Sequence, residues 1–234
     1  TWAGGVLAAF DEAVVGHLAR SVSRVDEAAL FVQNDDGVLV VSLNVLSLRG
    51  RCKSIGAPLL AGRKKWDVAL QQMDDRAVHL LGMQAVRAFS TSVSTKGGFH
   101  LVHLGGRRWG AAGCAIVLSS RLPWAWHLGR ACKVARQDVS ILLAEPRLLI
   151  VSVRASGVDF VAVSVHGPLA DDVDCTVVGL WEHVRSSISD HARQRSVVIL
   201  ADANATMAVA VDGCVGEVVS GKHSQTSAAF GNFL

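Results

Sequence analysis

The residues best placed for chemistry are Asp202 and Asn204, which close the run Val197-Val198-Ile199-Leu200-Ala201. A stretch of β-branched and aliphatic residues is the pattern of a strand buried on both faces. In α/β proteins such strands present polar side chains at their carboxyl ends. Three other apolar runs stop in the same way: residues 38–43 at Asn44, 79–83 at Gln84, and 158–165 at His166. If the backbone stays extended, the i, i+2 spacing sends Asp202 and Asn204 to one face. A carboxylate so placed is a general-base candidate, a role typically worth about 10²–10⁴-fold in rate. Each residue also has a bland reading taken singly: a strand-end Asn caps a turn, and a lone His packs in a core or on a surface. The weight lies in the ordered set.

The elements that must position this set follow from periodicity. Residues 1–36 stand apart, because Val6, Leu7, Phe10, Val14, Leu18, Val22 and Val25 recur at helical spacing and predict an amphipathic helical flank. Asn34-Asp35-Asp36-Gly37 reads as a turn, and residues 37–234 as one domain. Trp66, Leu70 and Met73 share a helical face; residues 99–104 and 113–118 read as strands. Residues 139–143, 148–153 and 158–165 form a strand series whose short turns favour antiparallel pairing. Residues 172–190 predict a helix with Val177, Leu180, Trp181 and Val184 on one side, and residues 228–234 the start of another. This is a mixed α/β pattern with hairpins and no strict strand–helix alternation. It is best satisfied by two stacked mixed β-sheets flanked by helices, a four-layer sandwich.

In order, Leu43-Asn44, Met83-Gln84-Ala85, Gly113–Leu118, His166-Gly167-Pro168 and Ala201-Asp202-Ala203-Asn204-Ala205 resemble the motifs of the endonuclease/exonuclease/phosphatase superfamily, the deoxyribonuclease-I-like fold. The run Pro146-Arg147-Leu148-Leu149-Ile150-Val151 is similar to the endonuclease domains of non-LTR retroelements. The resemblance spans residues 38–234. It implies a metal-dependent phosphodiesterase that cuts DNA by attack of an activated water, with Mg²⁺ or Mn²⁺ as cofactor. Asp202 would orient or deprotonate the water, Asn204 hold the phosphate or water, His166 donate to a phosphate oxygen, and Asn44 sit beside the metal, which Asn44 and Asp202 would bind. The resemblance also implies an intracellular setting, the nucleus included, and an adjoining reverse-transcriptase domain outside this chain.

The sequence departs from that pattern in four places. The family's metal-binding Glu falls at Ala85, and a methyl group coordinates nothing. The Gly before the family Asp is Ala201, which predicts strain in a tight turn. The Asn-Gly of the retroelement members falls near Thr226-Ser227. The family's terminal Asp-His has no counterpart before Leu234, so the domain reads as C-terminally incomplete. Two alternatives therefore stand beside the nuclease: an inactive relic or nucleic-acid-binding module on the same fold, and a phosphatase of lipid or small-molecule phosphates.

Composition limits the rest. Of 234 residues half are hydrophobic and 18% charged, which fits a sizeable core and excludes disorder. A net charge of +3 is low for a dedicated polyanion binder, and the short runs Arg63-Lys64-Lys65 and Arg107-Arg108 read as solvated faces. Five scattered cysteines without a C-x-x-C pair argue against a zinc site or disulfide framework and for a reducing compartment. No apolar run is long enough to span a bilayer, so no membrane partner is expected. His100 and His103 sit at an odd spacing that sends their rings to opposite faces of a strand, against a ligand pair. Trp109, Trp124 and Trp126 flank Arg107, Arg108, Arg121 and Arg130. That is either a stacking surface for nucleic acid or packing around a hairpin.

Overall fold

The aliphatic runs that close on polar residues are strands, and their alternation of burial sets two sheets face to face. The computed structural model describes residues 29–33, 38–44, 64–86, 91–104, 113–127, 129–168, 177–203 and 233. The first sheet is built from β1 (Ala29–Gln33), β2 (Leu39–Asn44), β3 (Leu80–Gln84), β4 (Ser92–Lys96), β5 (Phe99–His103) and β6 (Cys114–Ser119), in the order β1-β2-β3-β6-β5-β4. A small hairpin, β7 (Ala125–His127) and β8 (Arg130–Cys132), follows it. The second sheet consists of β9 (Val139–Glu145), β10 (Leu148–Ala155), β11 (Val158–His166) and β12 (Ser196–Asp202), in the order β12-β11-β10-β9. Helix α1 (Lys65–Asp75) lies between β2 and β3 in the chain, and α2 (Val177–Ala192) between β11 and β12.

Three apolar layers hold the stack together. Between the sheets, Leu80, Ile116 and Leu118 meet Leu149, Val151, Ala162 and Leu200. On the outer face of the first sheet, Ala69, Leu70 and Met73 of α1 cover Leu81, Met83, Leu101 and Val117. On the outer face of the second, Leu180, Trp181, Val184 and Ile188 of α2 cover Leu148, Ile150, Val161 and Val163. The alternation Leu80 inward, Leu81 outward is the period of two that lets one strand feed two layers. Each fully buried aliphatic side chain contributes about 1.5–3 kcal/mol. The result is the expected helix–sheet–sheet–helix sandwich.

Helix α1 ends in a Schellman motif. The Val78 amide donates to the Met73 carbonyl at 2.8 Å and the Ala77 amide to that of Asp74 at 3.2 Å. Val78 and Met73 pack in the same apolar layer. Ala77 holds the left-handed position with φ of 52° that glycine usually takes.

One expectation is corrected. Ala29–Gln33, which falls within the segment assigned to a helical flank, is a strand paired antiparallel to β2, with Phe31 opposite Val41. Its run Ala-Leu-Phe-Val is continuous and apolar, a pattern that fits a short strand as well as a helix, and the sheet therefore begins before residue 34. The rest of the helical flank (residues 1–28), Arg107, Arg108, Trp109, Asn204, Thr226-Ser227 and residues 228–232 lie outside the described residues, as do the side chains of Leu43 and Asn44.

Candidate active site

Parallel pairing is confined, among the described strands, to β2 with β3 and β11 with β12. Parallel neighbours need a long crossover, which α2 supplies for the second pair and the segment containing α1 for the first. Both pairs end on polar residues in register: Asn44 opposite Gln84, and His166 opposite Asp202. Gln84 ties the two pairs together. Its side chain is fully buried, and its Nε2 lies 3.3 Å from Ser42 Oγ, 3.3 Å from Ser164 Oγ and 2.9 Å from the Leu200 carbonyl. These acceptors stand two residues before Asn44, His166 and Asp202, so all four strand ends meet at one edge of the sandwich. Gly82 makes the close approach possible, because a Cβ there would collide with the side chain of Leu200.

His166 and Asp202 form the chemical centre of this edge. His166 Nε2 lies 3.9 Å from Asp202 Oδ2, and the two side chains are 11% and 19% exposed. That separation is beyond a hydrogen bond but within the range of an ion pair. It leaves a carboxylate and an imidazole side by side at the mouth of an apolar core, where charge is poorly screened. The geometry is held by backbone. The Gly167 amide donates to the Asp202 carbonyl at 2.6 Å, and the His166 amide to the Arg147 carbonyl at 2.9 Å. The Arg147 guanidinium reaches back to the carbonyls of His166 at 3.3 Å and Gly167 at 3.1 Å. Cys114, opposite Gln84 on β6, donates its thiol to the Arg147 carbonyl at 3.4 Å. Burial pushes that thiol up to about 12, which makes it a packing group and no nucleophile.

The architecture is thus a sandwich of two mixed sheets with polar residues gathered at the carboxyl ends of two parallel pairs. AP endonuclease LMAP from Leishmania major superposes on it with a TM-score of 0.50 at 12% identity, over 91% of this chain and 68% of that one. The chain has the endonuclease/exonuclease/phosphatase fold. Two further structures with this fold are similar to it: the endonuclease domain of TRAS1, a telomere-specific non-LTR retrotransposon (TM-score 0.42, 13% identity, 73% of this chain and 66% of that one), and TDP2 from C. elegans (TM-score 0.40, 13% identity, 88% and 56%). The chain spans less than two thirds of the length of either. No protein-family model and no curated sequence matches the chain.

Of the residues expected at the site of an endonuclease/exonuclease/phosphatase fold, the structure brings His166 and Asp202 together and sets Asn44 in the same edge by register. A resident divalent cation does not fit what is described. Of the residues expected to bind it, only Asp202 is a carboxylate, and no group of three His, Cys, Asp or Glu among the described residues could hold a metal. Ala85, at the expected Glu position, is buried with φ of 55°. The predicted strain at Ala201 is absent: it lies within β12 and its φ is negative. The left-handed alanine of this edge is Ala85 instead, at a cost of about 1–2 kcal/mol.

Arg147, Ser42 and Ser164 were not singled out by sequence reasoning. The two serines carry a readable signal: each is a polar residue set between aliphatic neighbours, two positions before the polar end, in Val-Ser-Leu-Asn and Val-Ser-Val-His. Two expectations about other residues resolve as packing. His100 bonds Thr95 Oγ1 and the Val134 carbonyl, whereas His103 bonds Ser92 Oγ, so the pair shares no ligand site. Trp124 is buried, stacks on Phe160 at 5.5 Å and donates its indole N–H to the Ser119 carbonyl at 2.8 Å, so it is no part of a stacking surface.

Proposed function

We propose that the edge formed by β2, β3, β11 and β12 is a phosphodiester-hydrolysing site of retroelement endonuclease type, acting on DNA. The observation that carries the reading is the registered pair His166 and Asp202, 3.9 Å apart at the ends of adjacent parallel strands. Asp202 accepts the proton of a water aimed at phosphorus. His166, when protonated, donates to a phosphoryl oxygen and offsets the charge that develops there. Gly167 and Arg147 hold the two groups at that spacing through the backbone. The retroelement type rests on the run Pro146–Val151, and DNA as substrate on the same resemblance.

A second reading is favoured by one observation. Ala85 offers a methyl group where the fold's hydrolases carry a carboxylate by resemblance, so the chain is also read as a nucleic-acid-binding module without turnover. Plasmid nicking separates the two. Wild type and Asp202→Ala are incubated with supercoiled DNA in Mg²⁺, in Mn²⁺ and in EDTA. Nicking by wild type that exceeds Asp202→Ala supports hydrolysis, and the EDTA arm reads the cation requirement. Equal, background nicking by both in all three conditions removes the catalytic reading and leaves the binding one.

A further inference from the structure

The β7–β8 hairpin carries the most exposed large apolar side chain among the described residues, Trp126, at 71%. Ala125 Cβ, His127 Cβ and Cys132 Sγ all lie within 4 Å of the Cβ position of Gly157, at the β10–β11 turn. That contact fixes the inner face of the hairpin. By strand alternation the outer face carries Trp126 and its cross-strand partner Ala131. Burial continues the alternation: Ala131 is exposed, Cys132 buried, Lys133 exposed, Val134 buried. Lys133 therefore follows Ala131 on the side of Trp126, one strand repeat of about 7 Å along. Arg130, paired with His127, falls on the inner face and is exposed beside the hairpin turn. Neither Arg130 nor Lys133 has a carboxylate partner among the described residues. From Ser119 to Gln137 the sequence holds Arg121, Arg130, Lys133 and Arg136 and no acidic residue.

This surface is remote from the proposed catalytic edge. Gly157 immediately precedes β11 and His166 ends it, and the nine residues of that strand span about 26–30 Å. It is therefore no lobe of the His166–Asp202 site. A bare indole beside an ammonium, with small Ala131 leaving the ring face open, matches one ligand chemistry closely. An unpaired base stacks on the indole, and a flanking phosphate pairs with the ammonium. Bases in a duplex are already stacked on each other and offer no face to a protruding ring.

We propose that the outer face of the β7–β8 hairpin is a second nucleic-acid site, which takes single-stranded DNA or RNA by stacking a base on Trp126 and pairing its backbone with Lys133. The site is independent of hydrolysis, so it stands whether or not the opposite edge is catalytic.

The test is fluorescence anisotropy of a labelled oligothymidylate at low and moderate salt. Trp126→Ala and Lys133→Ala are compared with wild type and with Asp202→Ala. Trp126 and Lys133 are exposed, so the variants keep the fold, which circular dichroism verifies. The expected result is on the order of tenfold weaker binding for Trp126→Ala, from the loss of one base stack. Lys133→Ala should flatten the slope of log K against log salt by about 0.7, the value for one phosphate contact on a single strand. Asp202→Ala should bind like wild type. An abasic oligomer should bind wild type no better than it binds Trp126→Ala. The proposal is overturned if Trp126→Ala leaves affinity unchanged, or if wild type does not bind the oligomer at low salt. It is equally overturned if phosphatidylserine vesicles or polyglutamate bind with the same dependence on Trp126, or if sedimentation shows a self-association that Trp126→Ala abolishes. Loss of nicking in wild type together with intact Trp126-dependent binding would sink the catalytic reading alone.

Discussion

The carbonyl oxygen of Ala203 lies 2.6 Å from the position a Cβ would take on Gly167. The carbonyl carbon of Ala203 and the oxygen of Asp202 are nearly as close, at 2.7 and 2.9 Å. All three are backbone atoms and cannot swing aside as a side-chain tip can. Gly167→Ala must therefore push the ends of β11 and β12 apart. The expected loss is about 1–3 kcal/mol of stability, the usual cost of overpacking. Because the same strand ends carry His166 and Asp202, any nicking should fall by more than the unfolded fraction explains. Urea unfolding and nicking measured on the same preparation check both.

Gln84 is the polar strut between the sheets. Replacing it with Met keeps the volume but leaves the Leu200 carbonyl without its 2.9 Å donor and loosens Ser42 and Ser164. Against that loss stands one gain, since Gln84 Oε1 is buried without a hydrogen-bond partner and Met removes it. The net expectation is a loss of about 1–2 kcal/mol, smaller than for Gln84→Ala, which adds a cavity. A chemical-denaturation series of the two variants decides the order.

His79 links stability to pH. Its Nδ1 accepts from the Leu39 amide at 3.2 Å and its Nε2 donates to the Pro123 carbonyl at 3.1 Å, which defines a neutral ring. Trp124 packs edge-on against it at 5.5 Å. Burial holds its pKa below the ordinary 6.5. The unfolded chain thus binds a proton that the folded chain resists. This contribution is fully present above pH 6.5 and is lost as pH falls through the folded value. The denaturation midpoint should drop between pH 7 and pH 5. His79→Gln should be less stable at pH 7 and show a smaller drop. A drop of equal size in the variant would assign the effect to other groups.

Ala77 is a place where stability can be gained. It occupies the left-handed position after α1, where an alanine Cβ costs about 1–2 kcal/mol. Ala77→Gly relieves that cost and adds some unfolded-state entropy. The net expectation is a gain of about 0.5–1 kcal/mol, read as a higher melting temperature with unchanged secondary structure.

Of the strands that carry the edge, β3 and β11 were legible because nearly all of their positions are buried, whereas β12, the outer strand of its sheet and mostly half-buried, was legible from its aliphatic composition alone. Residues 80–84 and 160–166 have no exposed position to interrupt the run, so the polar residue that ends each one stands out. β4 was not legible: Ser92–Lys96 is a half-exposed edge strand of small polar residues, and only the Gly97-Gly98 pair before Phe99 marks it as half of a hairpin. Its two histidine bonds, Ser92 to His103 and Thr95 to His100, are cross-strand pairs that appear only once the register is known. Trp124 and Trp126 lie two residues apart, one buried and one bare. Composition gives both the same reading, and only the packing of Phe160 and Gly157 separates them. Arg147 escaped for a similar reason, since its role depends on backbone carbonyls that leave no trace in the side-chain pattern.

Arg147 grips the end of β11 twice. Its carbonyl takes the His166 amide, and its guanidinium takes the His166 and Gly167 carbonyls. The Gly167 amide is closed in turn by Asp202. Fraying of this strand end therefore breaks the β9–β10 turn and the β12 contact in the same event. In hydrogen–deuterium exchange the amides of residues 166 and 167 should behave like central sheet amides and open with the second sheet as a unit, although they terminate a strand. A terminus that exchanges like a core is one whose two functional groups keep their spacing for as long as the domain stays folded.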